Sequence, residues 1–107
     1  MAGFTATWQD GLLRLSGELD LATDEDLLAA FRSASNGSSE VIVDLSELQF
    51  IDSTGIRAFV TIAQEASPRS VVLRSPRRAV RKVIGLTRLE DAAGVRVGWT
   101  TSRQAQT

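Results

Sequence analysis

Apolar and polar positions along this chain change period several times, and each change marks an element. Phe4-Thr-Ala-Thr-Trp8 alternates weakly and predicts an edge strand. Gln9-Asp10-Gly11 supplies turn residues, with the Asp-Gly step that favours tight hairpins. Leu12-Leu-Arg-Leu-Ser-Gly17 alternates from Leu13 and predicts the partner strand. The period then becomes helical. Thr23 offers an N-cap, and Asp24, Glu25 and Asp26 fill the first turn, where acids complement the positive helix end. Leu27, Leu28, Phe31 and Ala34 fall on one face, and Asn36-Gly37-Ser38-Ser39 ends the helix near residue 35.

Val41-Ile42-Val43 with Leu45 is a continuous aliphatic run, which predicts a strand covered on both faces and paired in parallel. A second helical stripe follows from Ser53: Ile56, Phe59, Val60, Ala63 and Ala66 share one face, while Arg57, Thr61, Gln64 and Glu65 point outward. Ser67-Pro68 stops it. Val71-Val72-Leu73 predicts another buried strand. Ser75-Pro76 reads as a cap followed by proline in the first turn of a third helix. That helix buries Val80, Val83 and Ile84 and wets Arg77, Arg78, Arg81 and Lys82. Val95-Arg-Val97 with Trp99 predicts a last strand. Hairpin, helix, strand, helix, strand, helix, strand implies an α/β fold in one mixed, mostly parallel sheet with right-handed crossovers.

The most specific stretch is the junction between the third strand and the second helix. Asp52-Ser53-Thr54-Gly55 places a hydroxyl where a helix begins, and helix N-termini attract negative charge through free amides and the aligned peptide dipoles. Local chemistry alone explains Ser53 as a helix cap. Gly55 costs roughly 0.5–1 kcal/mol against Ala inside a helix, so a steric reason for it is expected: close approach of another backbone, or a helix start kept uncrowded; functionally, a bare patch beside Ser53 would let a kinase bring a nucleotide phosphate close. Asp20 and Asp52 form either an acidic pair beside Ser53 or, separately, a turn residue and a cap. Two carboxylates are few for a metal site.

This block resembles the signature of the STAS family, as found in bacterial anti-sigma factor antagonists. The hydrophobic-Asp-Leu-Ser half stands here as Val43-Asp44-Leu45-Ser46. An apolar link, Leu48-Gln49-Phe50-Ile51, leads to the Asp-Ser-Ser/Thr-Gly-hydrophobic half at Asp52-Ser53-Thr54-Gly55-Ile56. A looser match, Ser16-Gly17-Glu18-Leu19-Asp20-Leu21-Ala22-Thr23, is similar to the family's turn before its first helix. The resemblance spans nearly the whole chain. It implies a STAS-like single domain over residues 2–99 with a flexible tail over 100–107, and the same layout as the periodicity. It implies that Ser53 is a phosphoacceptor, and that Asp20, Asp52, Ser53, Thr54, Gly55, Ile56 and Arg57 meet a partner. That partner would be an anti-sigma factor acting as a serine kinase, with a PP2C-type phosphatase to reset the switch. A scaffold role in a stress-sensing or lipid-transport assembly is the alternative. The chain departs from the family in having about eight residues after the last strand, where many members continue into a helix. It also carries Arg57 where small residues are common; Arg57 could pair with a phosphate on Ser53 or lie in solvent.

Composition narrows the function classes. The 107 residues suit one domain. The chain has no histidine, no cysteine and a single lysine, Lys82. That argues against a His-dependent nucleophilic triad, a zinc site and thiol chemistry. A nucleophile elbow also fails, since residue 51 is Ile where Gly is needed. No Gly-x-x-x-x-Gly-Lys loop occurs. A non-enzymatic protein without a cofactor is therefore expected. Residues 1–53 hold ten acids against two bases, and residues 54–107 three acids against ten bases, giving a net charge of −1. The basic run Arg74 to Arg88 lacks interleaved aromatics and the sequence pI is near 5.3, so a solvated helix face is expected rather than nucleic-acid contact. The N-terminus lacks the pattern of a signal peptide and no apolar run approaches the ~20 residues of a membrane span, so a cytoplasmic monomer or weak homodimer is expected, without membrane contact.

Overall fold

The structure is a computed structural model that describes residues 3–33, 40–92 and 94–98, with Glu90 described through its backbone only. Five strands and three helices alternate. The hairpin strands are β1 (Phe4–Gln9) and β2 (Leu12–Leu19), followed by α1 (Asp24–Ser33) and β3 (Glu40–Ile51). Then come α2 (Ser53–Ala66), β4 (Ser70–Arg74), α3 (Arg78–Thr87), a 3-10 turn at Leu89–Asp91, and β5 (Val95–Gly98). The sheet order is β1-β2-β3-β4-β5; β1 and β2 are antiparallel and the other pairs parallel. Asp10 (φ 53°) and Gly11 (φ 80°) both take the left-handed conformation of a two-residue hairpin turn, as the Asp-Gly step predicts. The predicted Ala34, the 36–39 helix stop, Trp99 and the 100–107 tail lie outside the described residues.

Because strands β2 to β5 follow one another in order, every crossover steps in the same direction. Right-handed crossovers then place all three helices on one face of the sheet. The ladder sets Leu13, Val43 and Leu73 in one row, and all three are fully buried. Leu15, Val41, Leu45, Val71 and Val95 join them beneath Leu27, Phe31, Phe59, Ile62, Val80 and Ile84. Among the described residues the opposite face has no helical layer: Ile42, Asp44 and Val72 are half-buried, and Arg14 and Arg96 are exposed. The expectation that the 41–45 run is covered on both faces is thus corrected. Its parallel pairing holds, but one-directional winding leaves a single covered face.

Strand β3 is longer than its aliphatic run because β2 follows it through two bulges, between Arg14 and Ser16 and between Gly17 and Glu18. Gly17 is obligatory here. Its φ is 93°, and a Cβ would stand 1.6 Å from the Gly3 carbonyl oxygen. The third helix begins two residues later than Ser75-Pro76 predicts. Ser75 is left-handed (φ 56°) and its N–H donates to Gly98 O at 3.1 Å, which prolongs the β4–β5 ladder. Arg77 is the extended residue before the helix, and its Nε donates to Ser46 O at 2.9 Å. Arg88 (φ 57°) ends α3 without a glycine, and Leu89 is buried directly after it.

Candidate functional site

Strands β2 and β3 end together. Leu19 pairs with Ile51, and the Asp52 N–H donates to Leu19 O at 3.3 Å. Residue 52 is therefore the first position able to leave the ladder and open a helix. Its backbone is extended (φ −118°, ψ −170°), as an N-cap requires. Its Oδ1 accepts from the Thr54 N–H at 2.9 Å and the Gly55 N–H at 3.2 Å, while its carbonyl accepts from the Ile56 N–H at 3.0 Å. Asp, Ser and Thr at 52–54 can all cap a helix; the end of the ladder selects Asp52. Ser53 is the first residue inside the helix and is exposed. The reading of Ser53 as the cap is corrected: its hydroxyl is not needed for the fold.

Gly55 is buried and faces inward. A Cβ there would lie 2.7 Å from Ile51 Cγ1 and 2.9 Å from Leu19 Cγ. Its steric purpose is the close approach of α2 to two side chains at the strand ends, neither a backbone crossing nor a bare patch on the surface. Ile56 is also buried. Of the seven residues singled out in the sequence, Asp20, Asp52 and Thr54 are half-buried and Ser53 and Arg57 exposed, while Gly55 and Ile56 support these from below.

The Asp20 carboxylate accepts from the Ala22 N–H at 3.0 Å, and its carbonyl accepts from the N–H groups of Thr23 (3.0 Å) and Asp24 (2.9 Å). Thr23 does not cap α1 with its side chain. Its hydroxyl donates back to Glu18 O at 2.9 Å and accepts from the Asp20 N–H at 3.0 Å; only its carbonyl belongs to the helix, accepting from Leu27. Both aspartates thus have local structural roles, as turn residue and as cap, and the adjoining ladder partners Leu19 and Ile51 bring them to the same edge.

Two further residues mark this edge that the sequence reading did not single out as site residues. Leu21 is 77% exposed and Phe50 46% exposed, two of the three large hydrophobic side chains left in solvent among the described residues. Leu21 sits on the Asp20 turn. Phe50 pairs with Glu18 across the ladder, one residue before the end of β3. Phe50 reads as part of an apolar link in sequence; the bulge opposite Gly17 and Glu18 breaks the alternation and leaves both Gln49 and Phe50 exposed between buried Leu48 and Ile51. Charge is divided across the same end. Helix α2 packs between α1 and α3. Asp24, Glu25 and Asp26 open α1 on one side, and exposed Arg77 and Arg78 open α3 on the other. The α3 face is wet as its spacing predicts, with Val80 and Ile84 buried and Arg81 and Lys82 exposed.

Among the described residues no group of three or more acids is placed to hold a metal ion, and no helix is long and apolar enough to cross a membrane. A paired carboxylate lies away from the site. Arg32 on α1 donates from Nε and Nη2 to both oxygens of Glu65 on α2. This hydrogen bonding draws Glu65 below the usual glutamate range and raises the Arg32 guanidinium.

The whole is a mixed sheet with an N-terminal hairpin, helices on one face, and an Asp-capped helix presenting a serine at the strand ends. The chain belongs to the STAS domain family: the family model described as Mlab, STAS domain matches residues 2–97. Solved structures share the fold. An anti-sigma factor antagonist from Mycobacterium paratuberculosis is 24% identical, with a TM-score of 0.67 over 90% of this chain and 86% of that one. The anti-sigma factor antagonist SpoIIAA in its unphosphorylated form is 22% identical, with a TM-score of 0.64 over 97% and 95%. An anti-sigma-factor antagonist (STAS) domain protein from Planctomyces limnophilus is 18% identical, with a TM-score of 0.69 over 99% and 97%.

Proposed function

We propose that this chain is an anti-sigma factor antagonist controlled by phosphorylation of Ser53. Unmodified, the edge formed by Asp20, Leu21, Phe50, Ser53, Thr54 and Arg57 docks onto an anti-sigma factor that is itself a serine kinase, and a sigma factor is released. The kinase then transfers the γ-phosphoryl group of ATP to Ser53 Oγ, leaving ADP and a proton, and the complex separates. A PP2C-type phosphatase hydrolyses the ester and restores the binding form. The chain contributes a surface and an acceptor, acts as a non-enzymatic cytoplasmic module, and needs no cofactor.

The observation that carries this reading is the division of labour at the junction. Asp52 caps the helix, so the adjacent Ser53 hydroxyl is exposed and structurally spare. A phosphate there adds roughly −1.5 to −2 charge at pH 7. It lands beside the Asp52 carboxylate and on the edge that carries Asp20, so a tightly packed interface loses more by repulsion and desolvation than the helix dipole returns, about 0.3–1 kcal/mol. Binding of candidate anti-sigma factors to the wild type, Ser53→Ala and Ser53→Asp tests it. The Ala variant should bind like the wild type and the Asp variant at least tenfold more weakly. Equal binding by the Asp variant would exclude charge as the switch.

The description of the matching family model, Mlab, STAS domain, favours a second reading: a non-switching STAS subunit of a stress-sensing or lipid-transport assembly. Co-purification in a large particle or with a membrane ATPase, with Ser53 unmodified, would select it.

A further inference from the structure

We propose that Arg57 is the receptor for the phosphate on Ser53, holding it on the outer face of α2 and away from the helix N-terminus. This rests on the switch reading above. A phosphate at the start of a helix ordinarily binds the free amides of the first turn. Here the Thr54 and Gly55 amides are already held by Asp52 Oδ1, and the Ile56 amide by the Asp52 carbonyl. To reach them the phosphate would have to displace a carboxylate on the adjoining residue and leave that carboxylate facing a dianion. Two of the amides that make helix N-termini good phosphate sites, those of Thr54 and Gly55, are thus already occupied in this chain.

Arg57 lies four residues after Ser53, on the same helix face, and both are exposed. Among the described residues it has neither a hydrogen bond nor an ion pair, in contrast to Arg14, Arg32, Arg77 and Arg96, which hold Asp44, Glu65, the Ser46 carbonyl and Glu40. A guanidinium presents a planar fork that matches phosphate oxygens in pairs. Phosphorylation then alters the docking edge twice: it adds bulk and negative charge at Ser53, and it withdraws Arg57 from any partner carboxylate that Arg57 meets in the unmodified form. The two changes act in the same direction.

The test uses the full chain with phosphoserine installed biosynthetically at position 53, so it does not depend on whether any cellular kinase reaches Ser53. A failed kinase experiment and a failed Arg57 experiment are therefore separate results. Phosphorus NMR titration should give a phosphate whose second pKa rises by roughly 0.4 of a pH unit in Arg57→Gln and by less in Arg57→Lys. As the phosphate ionises, the Arg57 Nε–H resonance should move and the Thr54 and Gly55 amide resonances should hold. The same phosphate pKa in Arg57→Gln and the wild type, with the Thr54 and Gly55 amides shifting instead, would overturn the proposal and show that the phosphate had taken the cap from Asp52.

Discussion

Asp52 caps the helix that Ser53 begins: its Oδ1 holds the Thr54 amide at 2.9 Å and the Gly55 amide at 3.2 Å, and the serine hydroxyl beside it is left exposed. Adjacent cap-competent residues have taken different tasks, and stability measurements should separate them. Asp52→Ala should lower the unfolding free energy by about 1 kcal/mol, and Asp52→Asn should recover most of it, because asparagine caps about as well. Ser53→Ala should stay within about 0.5 kcal/mol of wild type. Urea unfolding of the three variants checks this, and a larger loss for Ser53→Ala than for Asp52→Ala would reverse the assignment.

Gly55→Ala sets two effects against each other. Replacing a helical glycine ordinarily gains about 0.5–1 kcal/mol. Here the new methyl would stand 2.7 Å from Ile51 Cγ1 and 2.9 Å from Leu19 Cγ, atoms in the middle of fully packed side chains. Overpacking of that kind costs about 1–3 kcal/mol. The net change should be destabilising, read as a lower thermal midpoint; a higher midpoint would mean that the strand ends can retreat.

Fold topology was legible wherever local chemistry and tertiary demand agree. Asp10-Gly11 announced its hairpin, and the periodicity located all three helices. The misreadings share a cause. Thr23 and Ser75 are good caps by type, but the hydroxyl of Thr23 is claimed by Glu18 O and the backbone of Ser75 by the β5 ladder. The aliphatic run Val41-Ile42-Val43 specified a parallel strand, yet how many layers cover it depends on the direction in which later strands are wound. At the site, the motif named Asp20 and residues 52–57, which the Leu19–Ile51 pairing brings to one edge. It could not show that Gly55 and Ile56 face inward or that Leu21 and Phe50 face outward, because those orientations are set by the Leu19–Ile51 pairing.

Leu21 and Phe50 are exposed apolar groups on the edge proposed to dock. Buried apolar anchors carry most of the energy of typical interfaces. Leu21→Ser and Phe50→Ser should each weaken binding to the anti-sigma partner about tenfold or more, corresponding to ~1.4 kcal/mol, with little change in stability. Calorimetric titration alongside thermal unfolding distinguishes this from a folding defect; unchanged affinity in both variants would move the interface elsewhere.

The Arg32–Glu65 pair joins α1 to α2 at the surface, and the hydrogen bond from Arg32 lowers the pKa of Glu65. Its stabilising contribution is therefore complete above the ordinary glutamate range and disappears as pH falls through the lowered value. Glu65→Gln should flatten this part of the acid limb of stability against pH, with a small effect because both groups are solvated. Urea midpoints measured between about pH 6 and pH 3 read the difference; parallel curves for variant and wild type would show that the pair contributes nothing to folding.

In the proposed switch Ser53 is a phosphoacceptor freed for that role by Asp52. The most direct measurement is intact mass after incubation with ATP and each candidate anti-sigma kinase from the source organism, for wild type and Ser53→Ala. One added phosphate is expected on the wild type with a particular kinase, and none on Ser53→Ala. No transfer to folded wild-type protein by any of them, or equal transfer to Ser53→Ala, would contradict it.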